Sequence, residues 1–227
     1  MTVSPDHPKT SASITSVTHT LEQHRVVPVV VIDDAACAHD LAGSLVSGGL
    51  PIAEVTLRTA AALDAIRIIA ARGDVMVGAG TVLTADHVDR AADAGAQFVV
   101  SPGLSRAVVE RALHHGIGVI PGAVTATEVQ TAQAMGLDVV KFFPANTSGG
   151  PAAIAALAAP FAAMRFVPTG GVTATNVGDY LSLGSVVAVG GSWMVPRDAI
   201  ESRQWDQIAD LTTQAVAAAN AVTKGAS

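Results

Sequence analysis

The chain has 227 residues, a formal net charge of −6, and an apolar half with few aromatics, which suits one large α/β domain. No basic block accompanies that charge and no apolar run reaches membrane-spanning length, so neither nucleic acid nor a membrane is expected as a partner. The single cysteine, Cys37, excludes an internal disulfide and a thiolate metal cluster and reads as a small core hydrophobe.

Residues 1–15 are rich in Ser, Thr and Pro and lack the apolar core of a secretory signal, so they read as a mobile tail. The domain is expected over 16–227, working in the cytoplasm. A short helix is expected over Ser16–His24 and a first strand over Val26–Ile32. Helices and strands then alternate: helix Ala35–Ser47, strand Ile52–Leu57, helix Ala60–Ala71, strand Val75–Ala79, helix Ala85–Ala94. Strand Gln97–Val100, helix Ser105–His115, strand Gly118–Ile120, helix Ala126–Met135 and strand Val139–Phe142 continue the pattern. Helix Pro151–Ala159, strand Arg165–Pro168, helix Thr175–Leu183, strand Val186–Val189 and a last helix over Glu201–Val222 complete it. Eight apolar runs alternating with helices predict a (β/α)₈ TIM barrel with a short N-terminal helix. An open doubly wound sheet is the alternative, disfavoured because no dinucleotide fingerprint follows the first strand.

Lys141 lies inside the apolar run V-V-K-F-F, where an ammonium is out of place. The other two lysines, Lys9 and Lys224, lie near the chain ends, and elsewhere in the body the positive charges are arginines. An amine can do what a guanidinium cannot: lose its proton and attack a carbonyl. Lys141 is therefore a candidate Schiff-base residue, the alternative being a lysine that snorkels from a strand end. In a barrel, chemistry collects at the carboxyl ends of the strands. There the second strand puts Glu54, Thr56 and Arg58 on one face, either as site residues or as a Glu54–Arg58 ion pair. Thr81 follows G-A-G at the end of the third strand, where the glycines allow close backbone approach, and Thr84 reads as a helix cap.

The last two strands end in P-T-G-G and G-G-S-W. Loops at these two places in a barrel commonly hold a phosphate on backbone N–H groups, so Gly170, Gly171, Gly190 and Gly191, with the hydroxyls of Thr169 and Ser192, form a candidate phosphate site. None of the histidines falls near an expected strand end, and no metal site is expected.

Six motifs in order, E-V-T-L-R from Glu54, G-A-G-T from Gly78, S-P-G from Ser101, K-F-F-P-A from Lys141, P-T-G-G from Pro168 and G-G-S-W from Gly190, resemble the 2-keto-3-deoxy-6-phosphogluconate (KDPG) aldolase family across about Val26–Trp205. The resemblance implies a class I aldolase that needs no metal or other cofactor. It implies Lys141 as the imine-forming residue, Glu54 as the proton-transfer group, and Arg58 and Thr81 as holders of the pyruvate carboxylate. Pro102 and Phe143 are implied as packing around the pyruvate, the late glycines as the phosphate site, and a homotrimer as the assembly. The N-T-S-G-G stretch after Ala145 departs from the more acidic family pattern and bears on aldehyde specificity. Alternatives are an aldolase for 4-hydroxy-2-oxoglutarate (KHG) or the galactonate-derived epimer, and a phosphosugar-binding barrel without aldolase chemistry.

Overall fold

The computed structural model describes residues 17–222. The expected tail over 1–15, Ser16, Lys9 and Lys224 lie outside the described residues. Helix α1 covers residues 17–24, and strand β1 follows at Val26–Val30. The chain then alternates: α2 (Ala38–Ser47), β2 (Ile52–Thr56), α3 (Ala62–Arg72), β3 (Met76–Gly80), α4 (Ala85–Asp93), β4 (Phe98–Val100), α5 (Arg106–His115). Next come β5 (Gly118–Ile120), α6 (Ala126–Ala134), β6 (Val139–Phe142), α7 (Gly150–Ala158), β7 (Arg165–Pro168), α8 (Val177–Leu181), β8 (Val189–Gly191), α9 (Arg197–Glu201) and α10 (Trp205–Asn220).

The strands are parallel. Six pair in the order β5-β4-β3-β2-β1-β8, and β6 pairs with β7. Two seams close the ring: Gly122 bridges Lys141 between β5 and β6, and Phe166 with Val186 and Thr169 with Gly190 bridge β7 to the last wall segment. The strands are buried on both faces, which is why they read as continuous apolar runs. Inside the ring, Val27, Ile52, Phe98, Val100, Ile120, Val139 and Val167 form one cluster, and Val17 and Leu21 of α1 pack into it from the amino-terminal end. Helix α1 is thus a plug. The larger cluster lies between the outer strand faces and the helices.

Local chemistry sets the helix ends. Thr84 caps α4 by accepting from the His87 N–H, as expected. Helix α6 begins with a capping box in which Thr125 and Glu128 satisfy each other's backbone donors. Two expectations need correction. The last helix, expected from Glu201, starts only at Trp205, and a short α9 that was not expected ends at Glu201 before it: Arg203 adopts φ 55, the Gln204 N–H donates to Ala199 O (2.8 Å) and the Arg203 N–H to Ile200 O (3.1 Å), a Schellman stop built without glycine. The eighth strand is Val189–Gly191, not Val186–Val189, because residues 186–188 lean on β7 while residues 189–191 pair with Val26, Val27 and Pro28. Arg25, also at positive φ (61), ends α1 and donates to Ala219 O (2.7 Å), Val222 O (2.9 Å) and Leu181 O (3.2 Å), tying α10 and α8 to the foot of β1.

Candidate active site

Strands β2 and β6 stand on different sides of the ring, and each sends one charged side chain inward. Lys141 Nζ donates to Glu54 Oε1 at 3.1 Å, with the side chains 8% and 4% exposed. The structure thus decides between the two readings of Glu54: its carboxylate is joined to the lysine and not to Arg58. Lys141 is fixed by its strand, since its N–H donates to Pro121 O (2.8 Å) and its carbonyl accepts from Ala123 N–H (2.9 Å). Its ammonium stands 5.2 Å from the centroid of the Phe143 ring, a distance at which the ring's π face attracts a cation. Among the described residues Lys141 is the only lysine.

The strand ends around this pair carry the other expected residues. Thr56 is buried and its hydroxyl donates to Val30 O (3.0 Å), so it serves the wall of the barrel. Arg58 lies just past β2, exposed, with no ion pair or hydrogen bond to its guanidinium among the described residues. Thr81 follows β3 at φ 57, a left-handed conformation that is costly for a β-branched residue. Pro102 sits in the loop after β4, and its carbonyl is pressed against Gly122 so closely that a Cβ there would overlap it.

At the β7–β8 seam the backbone is bare. Gly170 and Gly171 adopt φ 94 and 80, and the N–H groups of Gly171 and Ser192 have no acceptor among the described residues. The expectation that Gly190 and Gly191 form a second turn is corrected: both belong to β8 and are buried. A Cβ at Gly190 would overlap Thr169 Oγ1, and one at Gly191 would overlap the Trp193 ring, so these glycines make room for neighbours. Thr169 is buried beside them, while Ser192 is exposed just past the strand. Phe143 joins the two halves of the site, because its ring edge lies 3.3 Å from where a Cβ of Gly170 would stand.

Two contributions escaped the sequence reading. Gly80, expected to admit a ligand, instead admits Glu54, whose carboxylate lies where a side chain would be. Asn146 leans on Gly171, and its N–H donates to Gly170 O (3.0 Å), so the departing N-T-S-G-G loop borders the bare seam. A rule that pairs each inward glycine with a large inward residue on the next strand would have flagged the first; nothing local signals the second.

The chain matches the family described as "KDPG and KHG aldolase" over residues 17–211. It is similar to 2-dehydro-3-deoxy-phosphogluconate aldolase of Treponema pallidum (strain Nichols), 47% identical over 195 residues, covering 86% of this chain and 93% of the relative. It is likewise similar to KHG/KDPG aldolase of Escherichia coli (strain K12), 45% identical over 203 residues, covering 89% and 95%. A solved structure of KDPG aldolase from Legionella pneumophila, with pyruvate captured at low pH as a covalent carbinolamine intermediate, superposes with TM-score 0.84 at 36% identity over 86% of this chain and 96% of the other. The 2-keto-3-deoxy-6-phosphogluconate aldolase of Zymomonas mobilis ZM4 with 3-phosphoglycerate gives TM-score 0.84 at 39% identity over 93% and 98%.

Proposed function

The chain belongs to the KDPG and KHG aldolase family, and from that membership and the buried Lys141–Glu54 pair we propose that it cleaves 2-dehydro-3-deoxy-6-phosphogluconate to pyruvate and glyceraldehyde 3-phosphate through an imine on Lys141. The observation that carries the reading is the lysine Nζ, buried at the carboxyl end of the barrel with a carboxylate 3.1 Å away.

Glu54 takes a proton from the ammonium, and the free amine adds to the C2 ketone. The carbinolamine loses water, with Glu54 returning its proton to the departing oxygen, and an iminium remains. Glu54, again a carboxylate, accepts the C4 hydroxyl proton. The C3–C4 bond then breaks, its electron pair moves into the iminium as an enamine, and the aldehyde phosphate leaves. Protonation of the enamine methylene and hydrolysis of the imine release pyruvate and restore Lys141. The lysine's own imine is the electron sink, so the chemistry calls for neither a metal nor an organic cofactor.

Arg58 and Thr81 at the rim hold the substrate carboxylate, with Pro102 and Phe143 packed about the three-carbon end. The N–H groups of Gly170, Gly171 and Ser192 supply donors for the phosphate, those of Gly171 and Ser192 being unpaired among the described residues, and Gly190, Gly191 and Thr169 shape the wall behind them. We place the reaction in the cytoplasm, since a phosphorylated sugar acid does not cross a membrane unaided. No helix among the described residues is long and apolar enough to span one. The family resemblance supports a homotrimer, to be checked by light scattering at micromolar concentration.

The direct test is borohydride reduction in the presence of pyruvate, followed by mass mapping: a pyruvate adduct on the Lys141 peptide is expected, and an adduct elsewhere overturns the mechanism. The E. coli relative's description names two substrates, so kcat/KM is then compared for the phosphorylated keto acid and KHG. A large preference for the phosphorylated compound is expected. Equal values would leave the imine chemistry standing and assign the chain to both substrates.

A further inference from the structure

We infer that Gly80 is a positioning residue for the proton-transfer step: the side chain it lacks is the space that holds the Glu54 carboxylate against Lys141. This rests on the reading of Glu54 as the proton-transfer group.

In the parallel pairing of β2 with β3, Glu54 lies level with Gly78 and Thr56 with Gly80. The Glu54 side chain leans toward the carboxyl end of its strand and crosses onto β3, so that it rests on Gly80. A Cβ built on Gly80 would overlap Glu54 Oε1 and lie 2.7 and 2.8 Å from its Cγ and Cδ, closer than real side chains approach. The oxygen in this tightest contact is the one that accepts from Lys141 Nζ. Neither partner can back away freely. The Gly80 carbonyl accepts from the Leu57 N–H of the β2 end (2.8 Å), and the Val82 N–H is tied to Val100 O of β4 (3.1 Å). Between them Thr81 is already held at φ 57, so the backbone at this joint has little slack. Glu54 is 3% exposed and its Oε1 is held by Lys141 Nζ at 3.1 Å. A methyl group at 80 must therefore push Oε1 off Nζ. Gly78, on the same face one step earlier, serves differently: a Cβ there would overlap the Phe98 ring, which is core packing.

The test is a cycle of variants. Gly80→Ala should lower kcat by about 10- to 100-fold, the scale on which small misplacements of catalytic groups are felt, with KM changed less than about threefold and pyruvate still trapped by borohydride. In a Glu54→Gln background, where the carboxylate's proton transfer is already lost, the same Gly80→Ala change should cost under about threefold. Equal losses in both backgrounds, or a loss under about threefold in the parent, overturn the inference. Should Gly80→Ala fail to fold, Glu54→Ala/Gly80→Ala decides, since it removes Cγ, Cδ and both oxygens from the contested space. A folded double variant with the thermal midpoint of Glu54→Ala supports the inference, and an unfolded one overturns it. Full turnover in Glu54→Gln would instead fail the proton-transfer reading and take this inference down with it, an outcome distinct from a failure at Gly80 alone.

Discussion

Replacing Lys141 by methionine perturbs the chemistry and the packing at once. The parent holds two opposite charges 3.1 Å apart with side chains 8% and 4% exposed. At an effective dielectric of about 20 their attraction is roughly 5 kcal/mol, most of it offset by the cost of removing both ions from water. Methionine keeps the length of the side chain but leaves the Glu54 carboxylate buried beside a thioether, with its desolvation no longer compensated. Breaking one side of such a pair costs about 3–5 kcal/mol. For a chain of this size each kcal/mol moves Tm by about 2–4 °C, so a fall of roughly 6–20 °C is expected. Lys141→Met/Glu54→Leu removes both charges and should recover most of that fall, because apolar replacement of a buried pair is often neutral or stabilising. The assay is a set of thermal melts at pH 7 run beside turnover and borohydride trapping. Both variants should show no turnover and no pyruvate adduct. A Lys141→Met protein that melts with the parent refutes the argument from the buried pair, and one that still traps pyruvate refutes the imine at this position.

Glu54→Gln should retain pyruvate binding while turnover falls by about 10² to 10⁴, the range for a lost general acid–base group; steady-state kinetics with pyruvate trapping separates the two. Arg58→Leu should raise KM for pyruvate in the condensation direction by about 10- to 100-fold, the scale of a lost charge-assisted contact, and an unchanged KM removes Arg58 from the carboxylate site. Arg25→Gly keeps the left-handed backbone at φ 61 and deletes three hydrogen bonds to helix-end carbonyls. The buried Nε that lacks a partner goes with them, so a net loss of about 2–4 kcal/mol is expected in denaturant unfolding. Burial pushes the Glu128 carboxyl up, but hydrogen bonds from Val124 and Thr125 hold it on balance below its ordinary value of 4.5. A lowered folded-state value means stabilisation that is complete above the unfolded value and fades as pH drops through the folded one. Glu128→Gln should therefore lower Tm at pH 7 and match the parent near the acid end of a pH series.

How much of this was legible depended on how local the cause was. Lys141 stood out because a buried parallel strand has no ordinary use for an ammonium, and seven of the eight strands were found because burial on both faces writes a continuous apolar run. The eighth was misplaced because glycine carries no strand signal, so V-V-A-V looked like the strand and Gly190–Gly191 like its turn. The stop between α9 and α10 was hidden for the converse reason: Arg203 takes the left-handed position where glycine is the usual marker. Arg25 does the same at the end of α1. The partnership of Lys141 with Glu54 spans 87 residues, and the sequence offered Arg58, four residues away, as an alternative mate. Only closure of the ring decides between them.

The plug made by α1 has a kinetic consequence. With Val17 and Leu21 packed into the amino-terminal mouth, substrate reaches Lys141 from the opposite rim, where the glycine seam also lies. In cleavage the aldehyde departs first, and only then does the water that hydrolyses the imine reach it. In synthesis the keto acid must load first, because only its enamine on Lys141 can attack the aldehyde, so excess aldehyde phosphate held at the glycine seam blocks its entry. The enzyme should therefore follow a compulsory order, with glyceraldehyde 3-phosphate inhibiting the condensation competitively against pyruvate at high concentration.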